Sequence, residues 1–289
     1  MNRAFAEQFF ERIRLQEGAV QSQRALMTAL ADDLDALVDA FCVAYDQAAL
    51  APQVEALAAR AGVSPYSIWL SVLILSAESA LPQYRTEAHF WDTFQDLRYK
   101  VQECFDLHGV WGTFISVWYP RFYKGTIVSL GRMQYDQNPW YGGESIAFGD
   151  TVVNPQDPVI HLHIPSSGEP FDRETRLQSY KQAVAYFGRP IVCVCNSWLL
   201  YPPYEAVFAK TSNIADFRRE FHIVSTQEMA NCTLWNVIGK PYAQSPDTWP
   251  EDTSLRRAFK TYAQHGGTFG TAIGLLIFDG ERILTKTDE

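Results

Sequence analysis

The sequence predicts an α+β protein with a helical N-terminal domain over residues 1–118 and a mixed β-sheet flanked by helices over residues 119–289. Three observations predict it. Residues 1–118 are rich in Ala, Leu, Glu, Gln and Arg, and apolar residues recur there at helical spacing, as in Leu34, Leu37, Val38, Phe41 and Tyr45. From about Tyr119 the period changes to strand-like runs. Within that second region, two apolar strands bracket a helix. Pro158–Pro165 leads through the loop Ser166–Asp172 into a helix from Arg173 to Phe187, and Pro190–Leu200 follows, which together predict a parallel βαβ crossover.

Helix breaks are expected near Gly18, Ala51–Pro52, Gly62–Pro65 and Leu81–Pro82, giving an antiparallel helical bundle or cap. Ile68–Leu75 is the most apolar run, about half the length that spans a bilayer, and reads as a buried helix. Glu55–Ser64 imitates the turn of a helix-turn-helix reader. The helix after it is too apolar to reach base edges, so DNA binding is set aside. Strands are expected at Gly125–Tyr135, Glu144–Val153, Val159–Ile164, Ile191–Leu200, Phe221–Ser225, Leu234–Ile238 and Phe269–Phe278, with a helical piece over Asn213–Phe217.

A hydrophobic content of 47% supports sizeable cores rather than disorder. A formal charge of −9 disfavours a nucleic-acid partner. The five cysteines (42, 104, 193, 195 and 232) show neither a disulfide framework nor a paired zinc motif, so reduced thiols in the cytoplasm are expected. No signal-peptide core or membrane span is expected either.

Phe122–Gly125 and Leu130–Tyr135, then His161–Pro165, Gly168–Phe171, Asn196–Leu200 and Ser212–Ile214, follow one another in a telling order. They resemble the second strand, fourth strand, following loop, fifth strand and next helix of the GNAT-type N-acyltransferases. Over nearly the full length the chain resembles a two-domain family that joins a helical N-terminal domain to a GNAT-like C-terminal domain. The resemblance implies acyl-CoA, with acetyl-CoA foremost, as co-substrate, and a small-molecule or peptide amine as acceptor. It implies that the strands ending at Ile164 and Asn196 splay apart, and that the pantetheine arm lies between them. The pyrophosphate would rest on amides of Ser166, Ser167 and Gly168 with Arg173 beside it, and Ser212 and Asn213 would complete the cofactor site. Two departures stand out: the loop carries one glycine and the acidic Glu169, and the helix Asn213–Phe217 lacks the tyrosine that many such enzymes use as general acid.

His163 is the first candidate for the base that deprotonates the amine. His161 points to the same strand face, and either histidine can equally be a hydrogen-bonded sheet residue. A zinc pair at i and i+2 lacks a third ligand, and no metal is expected. Glu144 is the carboxylate alternative, against a solvated turn. Ser197 can polarise the thioester carbonyl. Tyr204 or Tyr201 can protonate the thiolate, unless both simply pack around Pro202–Pro203. Arg132 and Gln134 share a face and can recognise an acceptor carboxylate or amide, or Arg132 can form a salt bridge across the sheet. Aromatics from Trp111 to Tyr141 suit a sugar-binding wall or an ordinary domain interface. Two rival functions remain: a non-catalytic ligand-binding or interaction protein on the same scaffold, and a Cys195–His163 hydrolase.

Overall fold

Ser71 is the one polar residue in Ile68–Leu75, so a helix built from that segment has no face to give to water. The computed structural model, which describes residues 2–239 and 245–286, makes it the centre of the first of two compact units. That unit comprises residues up to Ser129 together with Pro165–Ser167; the second comprises Leu130–Ile164 and the chain from Gly168 onward. The side chain of Cys232 lies outside the described residues.

In the first unit, helices α1 (Arg3–Arg12), α2 (Glu17–Ala29), α3 (Ala31–Ala44) and α4 (Gln47–Ala61) all pack on α5 (Pro65–Ser76). Gly62, left-handed at φ +66°, ends α4, and Ser64 caps α5 with Pro65 in its first turn. Ser71 hides its hydroxyl by donating to Gln23 Oε1 at 2.6 Å. Short α6 (Glu87–Phe94), α7 (Asp96–His108) and α8 (Pro120–Tyr123) complete the unit. Tyr119, Phe122 and Tyr123 are fully buried in this core, so the helical unit continues past the expected boundary at residue 118. The break expected near Gly18 falls just before it, between α1 and α2. The break expected at Pro52 is absent: Pro52 lies inside α4, where the Asp46 cap and buried Leu50, Val54 and Leu57 carry the helix through. Among the described residues no single helix is long and apolar enough to cross a membrane.

The strands are β1 (Ile127–Leu130), β2 (Met133–Pro139), β3 (Ile146–Phe148), β4 (Thr151–Val153), β5 (Pro158–His163), β6 (Ile191–Ser197), β7 (His222–Glu228) and β8 (Gly270–Phe278). The main sheet of the second unit runs β2-β5-β6-β8-β7. β5 and β6 are parallel and joined by α9 (Arg173–Phe187), as the βαβ pattern predicts; the other pairings are antiparallel. α10 (Asn213–Arg218) precedes β7, and α11 (Ala230–Ile238) and α12 (Ser254–Gln264) lie between β7 and β8.

Three expected strands differ. Gly125–Tyr135 is two strands, divided at Gly131 with φ +65°. Glu144–Val153 contains the β3–β4 hairpin, turning at Gly149 with φ +54°. Leu234–Ile238 is the end of helix α11. Its Leu234, Val237 and Ile238 sit at helical spacing and bury against Tyr204, Trp249 and Phe259.

Side-chain alternation gives the sheet two distinct faces. On one, Tyr135 bonds Ser179 of α9 at 2.8 Å and Tyr180 packs on Phe278. On the other, Val159, Val194, Leu275 and Ile277 gather under Trp140 and the β3–β4 hairpin.

Candidate active site

The antiparallel register of β2 and β5 sets Gln134 opposite His163 and Asp136 opposite His161, so all four side chains emerge on the Val194 face. Asp136 is 1% exposed, and its Oδ2 lies 3.9 Å from His163 Nε2. His161 is engaged elsewhere, with Nε2 3.3 Å from the Pro139 carbonyl. His163 keeps 28% of its side chain open, so of the two histidines it joins a buried carboxylate to an accessible ring.

β5 and β6 pair at two positions only, Ile160 with Cys193 and His161 with Val194. β6 meanwhile stays in register with β8 as far as Ser197 opposite Ala272. The strands therefore diverge at their C-terminal ends, between Leu162–His163 on one side and Cys195–Asn196 on the other. Asn196 is exposed there, and Ser197 is half-buried with Oγ accepting from the Leu199 amide at 3.2 Å.

Beyond β5 the loop 164–172 holds half-buried Ile164 and Ser167 and exposed Ser166 and Gly168. Gly168 has φ +72°, and nothing lies within 4 Å of where its Cβ would be. Arg132 donates to the Glu169 carbonyl and lies over the Phe171 ring, so it braces this loop. Arg173, the first residue of α9, is exposed. The helix start already carries a carboxylate: Asp172 accepts from the Thr175 amide at 2.9 Å, and those bonds hold its carboxyl below the usual range. A phosphate at this helix end would share its amides with Asp172.

Arg176, one turn further along α9, is fully buried and joins the surroundings. Its Nη1 donates to the carbonyls of Phe171 and Asn213, and its Nη2 to Asp216 at 2.6 Å and Glu220 at 2.7 Å. Tyr180 adds a hydroxyl bond to Glu220 at 2.7 Å. Burial raises the Glu220 carboxyl despite Arg176, and lifts the Tyr180 phenol well above its usual value. One guanidinium thus ties the loop to the start of α10, where Ser212 caps the helix and Asn213 is exposed.

Other candidates take different places. Glu144 is an exposed turn residue whose carbonyl accepts from Trp140 Nε1 at 3.0 Å. Tyr204 has no exposed surface, and its hydroxyl accepts from the Gly270 amide at 3.0 Å inside an aromatic cluster, so the expected proton donor is a core residue. Tyr201 is 4% exposed and bonds Thr268. Cys195 and His163 lie on opposite faces by strand parity, and burial pushes the Cys195 thiol up to about 12, which removes the Cys–His nucleophile. The expected aromatic wall divides: Tyr119, Phe122 and Tyr123 belong to the first core and Trp140 to the second, while Tyr141 is 67% exposed. Among the described residues no group of three His, Cys, Asp or Glu is placed to hold a metal.

Two residues escaped the sequence reading. Asp136 is one acid in a strand-like run, and only the β2–β5 register places it beside His163. Arg176 falls on the buried stripe of α9 with Ser179, Tyr180 and Ala183, where an apolar residue is the default. A basic residue on that stripe was the available signal.

A mixed sheet in this strand order, with one parallel pair that opens at its C-terminal ends, is a GNAT-like fold. Comparison with known proteins agrees. Residues 127–276 match the GNAT-like C-terminal domain, and residues 4–125 match the N-acyltransferase N-terminal domain. The chain belongs to this two-domain N-acyltransferase family. It is similar in structure to a crystallised acyltransferase in complex with decanoyl-CoA and teicoplanin, with TM-score 0.68 and 19% identity over 94% of this chain and 87% of that one. An acyltransferase mutant in complex with octanoyl-CoA gives TM-score 0.66 and 18% identity over 93% and 86% of the two chains. An acyltransferase in complex with decanoyl-CoA gives 0.60 and 20%, over 93% and 98%. No curated protein matches the sequence.

Proposed function

We propose that the protein moves an acyl group from acyl-CoA to a small-molecule amine by direct attack, with His163 as general base. The observation that carries this reading is the placement of His163, partly open and 3.9 Å from buried Asp136, where β5 and β6 diverge. An amine must lose a proton to attack a thioester, and a neutral imidazole takes it at physiological pH. Asp136 orients the ring and offsets the imidazolium that forms. Unpaired backbone between His163 and Asn196 would hold the pantetheine arm, and the loop amides of Ser166, Ser167 and Gly168, with Arg173, the pyrophosphate. Ser197, at the end of β6, shares the Cys195 face rather than the His163 face, and its Oγ accepts from the Leu199 amide, so the proposed reaction gives it no part in polarising the carbonyl. A thiol ionises near pH 8.5, so the leaving thiolate departs without the tyrosine that the fold lacks here.

The donor we propose is a medium-chain acyl-CoA, because relatives of the same fold were crystallised with octanoyl- and decanoyl-CoA. Nothing in the geometry favours the acetyl group expected from the sequence. A small-molecule acceptor draws support from the relative crystallised with teicoplanin. A cytoplasmic setting remains part of the proposal.

The second reading, a non-catalytic ligand-binding protein, draws on Asp172, which already occupies the amides at the start of α9. Titration with acyl-CoAs from acetyl to decanoyl, followed by thiol release with a panel of amines, separates the two. Binding with His163-dependent thiol release supports transfer. Binding without turnover of any amine favours the second reading, and absence of binding removes the first.

A further inference from the structure

The second unit holds a cavity of about 850 Å³ that shares no residue with the expected acyl-CoA site. It lies among the turns after β6, helix α10 and the start of β7. Leu200 and Phe208 make apolar wall, while the charged lining is Lys210, Arg218 and Arg219 against a single acid, Glu205. In a chain of net charge −9 this is a local reversal of sign.

The three cations are not equivalent. Arg219 pairs with Asp216 at 3.4 Å. Lys210 is exposed at the rim. Arg218 is the unusual one: it donates to the carbonyls of Leu199, Tyr201 and Pro202 and lies 5.5 Å from the Phe208 ring centre. Among the described residues no carboxylate stands within ion-pair distance of Arg218 or Lys210. Burial holds the Arg218 guanidinium below its usual range, with Glu205 opposing from a distance. Carbonyl dipoles fix the guanidinium but leave its charge uncancelled, and a desolvated charge without a counter-ion is costly. The size of the cavity suits a drug-sized ligand.

We infer that this cavity binds an organic phosphate, its anionic group between Lys210 and Arg218 and its apolar or planar body against Leu200 and Phe208. The uncancelled charge on Arg218 and Lys210 favours an anionic group, and the aromatic wall favours a body with a flat face. The inference stands apart from the acyl-transfer reading. The same chemistry is found in a free nucleotide and in the nucleotide end of coenzyme A.

The test is calorimetric titration of the full chain with adenosine 3′,5′-bisphosphate at low and high salt, on the parent, Lys210→Glu and Arg218→Gln. Binding to the parent that weakens roughly tenfold or more in Lys210→Glu, and again with salt, is expected. Lys210 makes no side-chain bond that the fold uses, so that variant reports on the cavity even if Arg218→Gln loses its carbonyl anchors and misfolds. Repetition under saturating acyl-CoA identifies the source. Competition assigns the cavity to the nucleotide end of the donor, and independent binding assigns it to a separate ligand; both uphold the phosphate site. Failure of the parent to bind at millimolar concentration, or equal binding by parent and Lys210→Glu, overturns it.

Discussion

Asp136 and His163 stand diagonally across two antiparallel strands, with carboxylate Oδ2 3.9 Å from imidazole Nε2 and the acid 1% exposed. The pairing is long for an ion pair. The acid is buried and the histidine partly open, so in the reaction we propose the proton would arrive from the open side while the compensating charge stays fixed.

Replacing His163 by Ala is expected to lower kcat by about 10²–10⁴-fold, the usual worth of a positioned base. Asp136→Asn keeps the shape of the acid, and is expected to lower kcat roughly tenfold while leaving KM for acyl-CoA unchanged. Steady-state kinetics on both variants checks this. A rise in KM with kcat preserved would make Asp136 a packing residue only.

Asp96 in the first unit is 3% exposed, and burial pushes its carboxyl to about 6, with Lys100 lowering and Glu103 raising it less strongly. The folded state therefore keeps this proton to higher pH than the unfolded chain, which releases it near pH 3.9. Its contribution is full below pH 4 and lost as pH rises to about 6, at a cost on the order of 3 kcal/mol above that. Asp96→Asn should accordingly raise Tm at pH 8 and change it little at pH 4. Thermal melts of parent and variant across that range give the difference directly.

Arg176 and Glu220 are each at most 1% exposed and bonded to one another. Arg176→Met strands the Glu220 carboxylate, and is expected to cost about 3–5 kcal/mol. Adding Glu220→Leu should recover most of that loss, since an apolar pair replaces an ion pair. Denaturant unfolding of the single and double variants measures the recovery.

Cys193 and Cys195 are buried, and both thiols are pushed up by desolvation, Cys195 to about 12. Iodoacetamide at pH 8 should leave the peptide containing both unmodified in the folded protein and label it after denaturation. Cys195→Ala should retain acyl transfer. Loss of activity in that variant without loss of stability would revive the nucleophile that the sheet geometry excludes.

The βαβ core was legible in the sequence because its punctuation is local. Asp172 caps α9 and Gly188 ends it in the left-handed region, so the helix runs from Arg173 to Phe187 as expected. The same local logic misled at Leu234–Ile238, where five apolar-rich residues fit a strand as well as the last turns of α11. The candidate site was half legible. His163 stood out as a titratable residue on an apolar strand, but its partner depends on a register between segments about 27 residues apart. No local pattern encodes that. Tyr204 was read from its position after β6, and the aromatic cluster that absorbs it comes partly from α12 and the approach to β8.

The two-position pairing of β5 with β6 has a mechanical consequence. β6 and β8 are laced at seven positions, whereas the neighbouring seam is held at two. The sheet is thus weakest down its middle, where a strong fold is usually most tightly sewn. Amides of β5 and β6 that face one another across this seam should exchange with solvent sooner than those of β6 facing β8. An occupant that lies along the seam like an extra strand would act as a suture. It would tighten the two halves together, so under the proposed function each release of the donor would also loosen the sheet along this seam.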